Sequence, residues 1–121
     1  MLIKSAISCA VIAAIVGGAF VARAWRRANL ERMARDVGFS AFERGDWNEA
    51  IRNLGVLVAR KTADPSEMLA FAAARLRMPR EGGAHVAQAV STVEAARVLG
   101  ADPAECDRLL LEAYVEGGDA R

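Results

Sequence analysis

One histidine and two cysteines leave this chain short of the soft ligands that a four-coordinate structural zinc site needs. His85 has no Cys or Ser at a spacing that would make a catalytic pair, and reads as a polar residue in the first turn of a helix. Cys9 lies in an apolar run and Cys106 in a later helical stretch, so no bridge is expected between them; Cys106 fits a small core position. The glycines at 82–83 and 117–118 are not preceded by a strand or followed by Lys-Ser/Thr, which excludes a phosphate loop. They read as helix stops. Carboxylates are scattered over caps and exposed faces, with no pair placed for acid–base work. The expectation is a non-catalytic protein with no cofactor and no metal.

A dominant charge is also lacking. From Arg26 onward, 14 basic residues stand against all 15 acidic ones. Such a balance excludes both an overall basic nucleic-acid binder and an acidic disordered tail. Strand signals are missing too: after Arg26 no stretch alternates with period two, and β-branched residues are sparse. An all-α chain is expected.

What is present begins with an apolar run. Eighteen uncharged residues run from Ser5 through Ala22, a helix of about 27 Å at 1.5 Å per residue. With Ile3 and Trp25 it just covers the ~30 Å hydrocarbon core of a bilayer. Lys4 suits one headgroup layer, and Trp25 with Arg23, Arg26 and Arg27 the other. Residues 1–25 are therefore expected to be a single transmembrane anchor, with the lipid bilayer as partner of residues 3–25. Ala22-Arg23-Ala24 has the small-x-small form of a signal-peptidase site, which keeps an exported, cleaved protein as an alternative. The arginines that follow resist translocation and favour the uncleaved anchor. Arg23, Arg26, Arg27, Arg32 and Arg35 outweigh Lys4, so the positive-inside rule places the C-terminal part in the cytoplasm, the periplasmic or extracellular side being the alternative. Ala6, Ala10, Ala14, Gly18 and Ala22 recur every fourth residue. The ridge they form would admit a second helix; an Ala-rich composition also produces such stripes by chance.

Beyond the anchor, apolar residues recur three and four apart, and Gly and Pro interrupt them at regular intervals. Five helices are expected. The first runs from about Arg27 to Arg44, continuous with the anchor or separate from it, and stops at Gly45. Asp46 caps the second, with Glu49 placed for a capping box, and that helix runs to about Lys61. Asp64-Pro65-Ser66-Glu67 opens the third, with Asp as N-cap and Pro at the first helical position, and Pro79 stops it after Met78. The fourth runs from about His85 to Leu99. Asp102-Pro103-Ala104-Glu105 then repeats the earlier opening 38 residues on, and the fifth helix runs to about Glu116. Two matching starts joined by short loops are the mark of stacked helix hairpins, each burying its apolar face on its neighbours.

One segment carries a resemblance. Val37-Gly38, Ala41, the run Gly45-Asp46-Trp47-Asn48-Glu49-Ala50-Ile51 and Leu54 resemble one tetratricopeptide repeat, as found in membrane-anchored bacterial-type members of that family. The Gly-Asp-aromatic-x-Glu-Ala-Ile run is the most specific part; Ala41 and Leu54 depart from it, standing where larger aromatics are common. A degenerate second unit covers 65–99, with Ala72, Ala73, Leu76, Ala89 and Val93 in the helix slots. Its turn, Pro79 to Ala84, is about four residues longer than the ~34-residue standard allows. Leu110, Leu111, Tyr114 and Gly118-Asp119 resemble half of a third. The resemblance implies a short α-solenoid over residues 26–121, in units of about 31–63, 64–101 and a half unit 102–121. The residues support this independently: Ala50, Ala73 and Ala89 are small where helices must approach, and Leu54, Leu76, Val93 and Leu110 supply bulk.

In that family the first helix of each hairpin lines a concave groove. Carried onto this chain, the groove holds Arg32, Arg35, Phe39, Phe42 and Glu43, then Glu67, Ala70, Ala74, Arg77 and Met78, then Glu105, Arg108 and Glu112. Phe39 and Phe42 either anchor an apolar side chain of a bound peptide or belong to the core. The expected partner-binding residues are Arg32, Arg35, Phe39, Phe42, Arg77 and Arg108. The Asn and Lys set that chaperone-tail receptors use is absent, Phe39 occupying the place of the key Asn. Helix five carries Cys106, Leu109, Leu110, Leu111, Tyr114 and Val115, an apolar arc too wide for one solvated cap, which is open to self-association. The functional expectation is a membrane-tethered scaffold that binds a protein or peptide partner. The alternatives are an accessory subunit or terminal fragment of a larger assembly, and an exported soluble repeat protein.

Overall fold

Nothing between Leu2 and Glu43 breaks a helix: there is no proline, and Ala, Leu, Arg and Glu are strong formers. The computed structural model, which describes the backbone of residues 2–119 and the side chains of residues 4–117, accordingly shows one uninterrupted helix, α1, from Leu2–Glu43. The apolar run and the first expected helix are thus one continuous helix. The side chain of Ile3, counted into the span, and Ala120 and Arg121, which close the half unit, lie outside the described residues. The structure is all-helical among the described residues, with α2 (Trp47–Ala59), α3 (Pro65–Leu76), a 3-10 turn at Glu81–Gly83, α4 (Ala84–Val98) and α5 (Pro103–Asp119) completing it. By internal contacts the chain divides into two units, Met1–Arg32 and Met33–Arg121.

In the first unit the described side chains are exposed from Lys4 to Leu30. The N-terminal part of α1 is long and apolar enough to cross a membrane, and none of its apolar window is buried within the chain.

In the second unit three helix ends are built alike. The Gly45 N–H donates to Phe42 O and the Asp46 N–H to Ala41 O. This closes α1 with the pair of bonds of a Schellman motif, whose left-handed residue is Gly45 at φ 76°. Gly100 closes α4 in the same way. At the end of α2 the left-handed residue is Lys61, at φ 58°, where a Cβ is strained. The sequence expects α2 to reach Lys61 and α3 to reach Met78. The helices stop at Ala59 and Leu76, and those last residues form the closing turns.

Packing follows the chain order. α3 lies centrally, against α2, α4 and α5, and every side chain from Glu67 to Leu76 is buried. One core cluster holds Ala34, Ala41, Ala50, Leu54, Leu57, Ala70, Phe71 and Ala74. A second holds Leu69, Ala72, Leu76, Ala89, Val93, Ala96, Cys106, Leu109 and Ala113 with their neighbours. Phe42 is half-buried and packs against both. Each fully buried leucine or valine contributes about 1.5–3 kcal/mol.

One expectation fails locally. Gly117 and Gly118 do not stop α5, which continues to Asp119. A Cβ on Gly117 would sit 3.6 Å from Val86 Cγ1, an ordinary contact distance, so α5 runs past α4 here without requiring a glycine. His85 stands in the first turn of α4 as expected, and it is buried there. It is 3 % exposed, its Nδ1 accepts the Arg80 N–H at 3.0 Å, and its Nε2 lies buried 3.9 Å from Glu116 Oε1 without a hydrogen-bond partner.

Candidate functional site

A helix whose residues 66, 70 and 73 are Ser, Ala and Ala has a small-residue face one turn to the next. On α3 that face becomes the floor of a cleft of about 250 Å3. Phe39 and Phe42 of α1 form one wall, and Glu105, Arg108 and Leu109 of α5 the other, with Leu69 beside the floor. The arrangement is an aromatic side, a shallow apolar base and a side carrying both charges. It is an open groove suited to an extended or helical segment that presents one or two apolar side chains.

The structure brings three of the six expected partner-binding residues together here: Phe39, Phe42 and Arg108. Glu105 and Ala70 from the wider set line it as well. The sequence does not assign Ser66, Leu69, Ala73 and Leu109 to the groove, Ala73 being read as a packing position and Leu109 as part of the apolar arc, although the spacing of Ser66, Ala70 and Ala73 on α3 carries the signal. The other three sit elsewhere. Arg32 is exposed and belongs to the first unit. Arg77 lies over the Trp47 ring, 4.8 Å from its centroid, a cation–π contact, and 3.9 Å from Glu112. Trp47 in turn meets Phe42 edge-on at 5.5 Å. The aromatic wall is therefore braced from behind by α2 and the end of α3.

Arg35 forms a tie between helices. Its Nε donates to Glu67 Oε2 at 2.7 Å, with the arginine side chain 41 % exposed and the glutamate side chain fully buried. Glu67 was expected to line the groove; instead its other oxygen accepts the Asp64 N–H at 3.0 Å. Asp64 accepts the Glu67 N–H at 2.9 Å, so the capping box is complete. Burial alone would raise the Asp64 carboxyl. Hydrogen bonds from the Ser66 hydroxyl and the Glu67 amide, with the Arg35 charge beyond, bring it below its ordinary value. The matching opening at Asp102 behaves differently. Glu105 is exposed and faces the cleft, while Asp102 Oδ1 accepts from the Ala104 N–H at 3.3 Å. At Asp46 only the forward bond forms, from the Glu49 N–H at 3.3 Å.

The far side of α5 is open. Cys106, Leu109 and Ala113 are buried, but Leu111, Tyr114 and Val115 are each at least 60 % exposed. α5 packs on α4 through the buried cluster of Ala89, Val93, Ala96, Cys106, Leu109 and Ala113, and the exposed Arg97–Asp107 pair bridges the two helices.

Comparison with protein-family models, with curated proteins and with solved structures finds no match to this chain.

Proposed function

We propose that this chain is a non-catalytic, membrane-tethered scaffold of tetratricopeptide-like helix hairpins that takes a protein or peptide segment into the α1/α3/α5 groove. The observation that carries this reading is the cleft itself: Phe39 and Phe42 face Arg108 and Glu105 across a floor of Ser66, Ala70 and Ala73. Small floor residues leave room for an incoming side chain, the phenylalanines offer apolar contact, and the α5 charges fix its register. The apolar, unburied start of α1 supports the tether. The excess of arginines after it supports a cytoplasmic position of the second unit.

A photo-crosslinking amino acid at Ser66 of the full chain, compared with one at the exposed Glu94 of α4, tests the groove. A discrete adduct from position 66 alone, abolished by Ala73→Leu or Arg108→Glu, is the expected result. Adducts indifferent to both changes would refute the assignment. The exposed Leu111, Tyr114 and Val115 favour a second reading, an accessory subunit whose α5 docks on a larger assembly. Adducts formed from position 111 and absent from position 66 would select it. The mass of the mature chain decides between the tether and an exported form cut after Ala24.

A further inference from the structure

Where the apolar run of α1 ends, three guanidinium groups stand in solvent. Arg23, Arg26 and Arg27 are exposed, and among the described residues no carboxylate lies within ion-pair distance of any of them. At about 100° per residue they fall within an arc of about 100°, so they share one face of the helix. Trp25, 70 % exposed, lies on the opposite side. Along the arginine face runs a shallow groove lined by Phe20, Arg23, Ala24, Arg27, Ala28 and Glu31. Its order matters: an aromatic ring on the apolar side, then two arginines one turn apart, with alanines beside them that leave the space open.

That order matches a phospholipid laid along the helix, acyl chain beside Phe20 and phosphate between Arg23 and Arg27. The guanidinium fork binds phosphate oxygens in pairs. Glu31, the one carboxylate of the cluster, leaves two net positive charges, which selects a lipid of net negative charge over a zwitterionic one. We propose that Arg23 and Arg27, with Arg26 adding charge beside them, form a one-sided binding site for the headgroup of an anionic phospholipid at the end of the α1 span. The inference rests on the membrane reading given above.

The test places a single tryptophan in the groove. Full-length chain carrying Phe20→Trp, Trp25→Phe and Trp47→Phe is reconstituted into bilayers of phosphatidylcholine with phosphatidylglycerol. One or the other lipid is brominated on its acyl chains, and quenching of the tryptophan is compared at equal mole fraction. The expected result is quenching by brominated phosphatidylglycerol about threefold or more above that by brominated phosphatidylcholine, following from two net charges at the surface. Adding Arg23→Gln and Arg27→Gln brings the ratio to about one, and Glu31→Gln raises it. Equal quenching by the two lipids in a chain that resists alkaline extraction overturns the headgroup site and leaves the tether standing. A chain released by alkaline extraction overturns both.

Discussion

The Arg35–Glu67 tie offers a quantitative test of how α1 is fastened to α3. Replacing Arg35 by Met keeps the stem's apolar contact but leaves the fully buried Glu67 carboxylate with only the Asp64 N–H as donor. Removing one partner of a buried pair costs about 3–5 kcal/mol. The Arg35 side chain is itself 41 % exposed, so the pair is screened and the lower end applies, about 3 kcal/mol. Glu67→Gln is milder. An amide keeps one oxygen for the Asp64 N–H and turns its NH2 toward Arg35, which swings into water, so the loss is one charge-assisted hydrogen bond, about 1.5–2 kcal/mol. The double variant no longer strands a buried charge, and a coupling of about 2 kcal/mol between the two changes is expected. The assay is urea unfolding of full-length chain in a mild non-ionic detergent, followed by Trp47 fluorescence in a Trp25→Phe background. Trp47, packed against Phe42 and Arg77, reports on the second unit. If Arg35→Met costs no more than about 0.5 kcal/mol, as an unremarkable surface change does, or if the two changes are additive, then α1 is not held by this pair.

Four further outcomes follow from the same structure. Lys61→Gly relieves a left-handed residue at φ 58° and is expected to stabilise by about 0.5–1 kcal/mol, the strain lifted exceeding the entropy glycine adds to the unfolded chain; an unchanged urea midpoint would contradict it. Gly38→Ala places a Cβ 2.8 Å from the Leu54 side chain and 3.3 Å from its backbone nitrogen. It should destabilise by about 1–3 kcal/mol despite alanine's better helix propensity. Gly55→Ala meets only the rim of the Phe71 ring, at 3.2 Å, and should fall near neutral in the same assay. Asp64→Ala removes the α3 cap and should cost about 1 kcal/mol at neutral pH. The folded Asp64 carboxyl titrates below the unfolded one, so its stabilisation is complete above about pH 5 and is lost as the pH falls through the folded value. Midpoints of wild type and variant measured down the acid range should therefore begin to approach below about pH 5 and converge only below the depressed folded value.

Helix positions were largely legible because their signals are local. Asp46, Asp64, Gly45, Gly100 and the two Asp-Pro openings act through bonds within four or five residues, and the apolar period fixes which face turns inward. The run from Ser5 to Ala22 is likewise a property of composition alone. The role of an individual side chain across helices was not legible. Glu67 and Glu105 occupy equivalent places in nearly identical openings, yet one is buried under Arg35 and the other lines a cleft, because only the first has a cation on a neighbouring helix. The same holds for Arg77, which sequence position offers to a ligand and which the fold lays on Trp47. Gly117 reads as a stop, and α5 continues through it to Asp119.

The sequence by itself determined that this chain is helical, where its turns fall, and that its first helix begins with a membrane-length apolar run, since each of these depends on neighbours along the chain. Tertiary structure alone decided which of its small and charged residues meet. Ser66, Ala70 and Ala73 become a floor only when α1 and α5 stand on either side of α3, and no local preference of the chain encodes that distance.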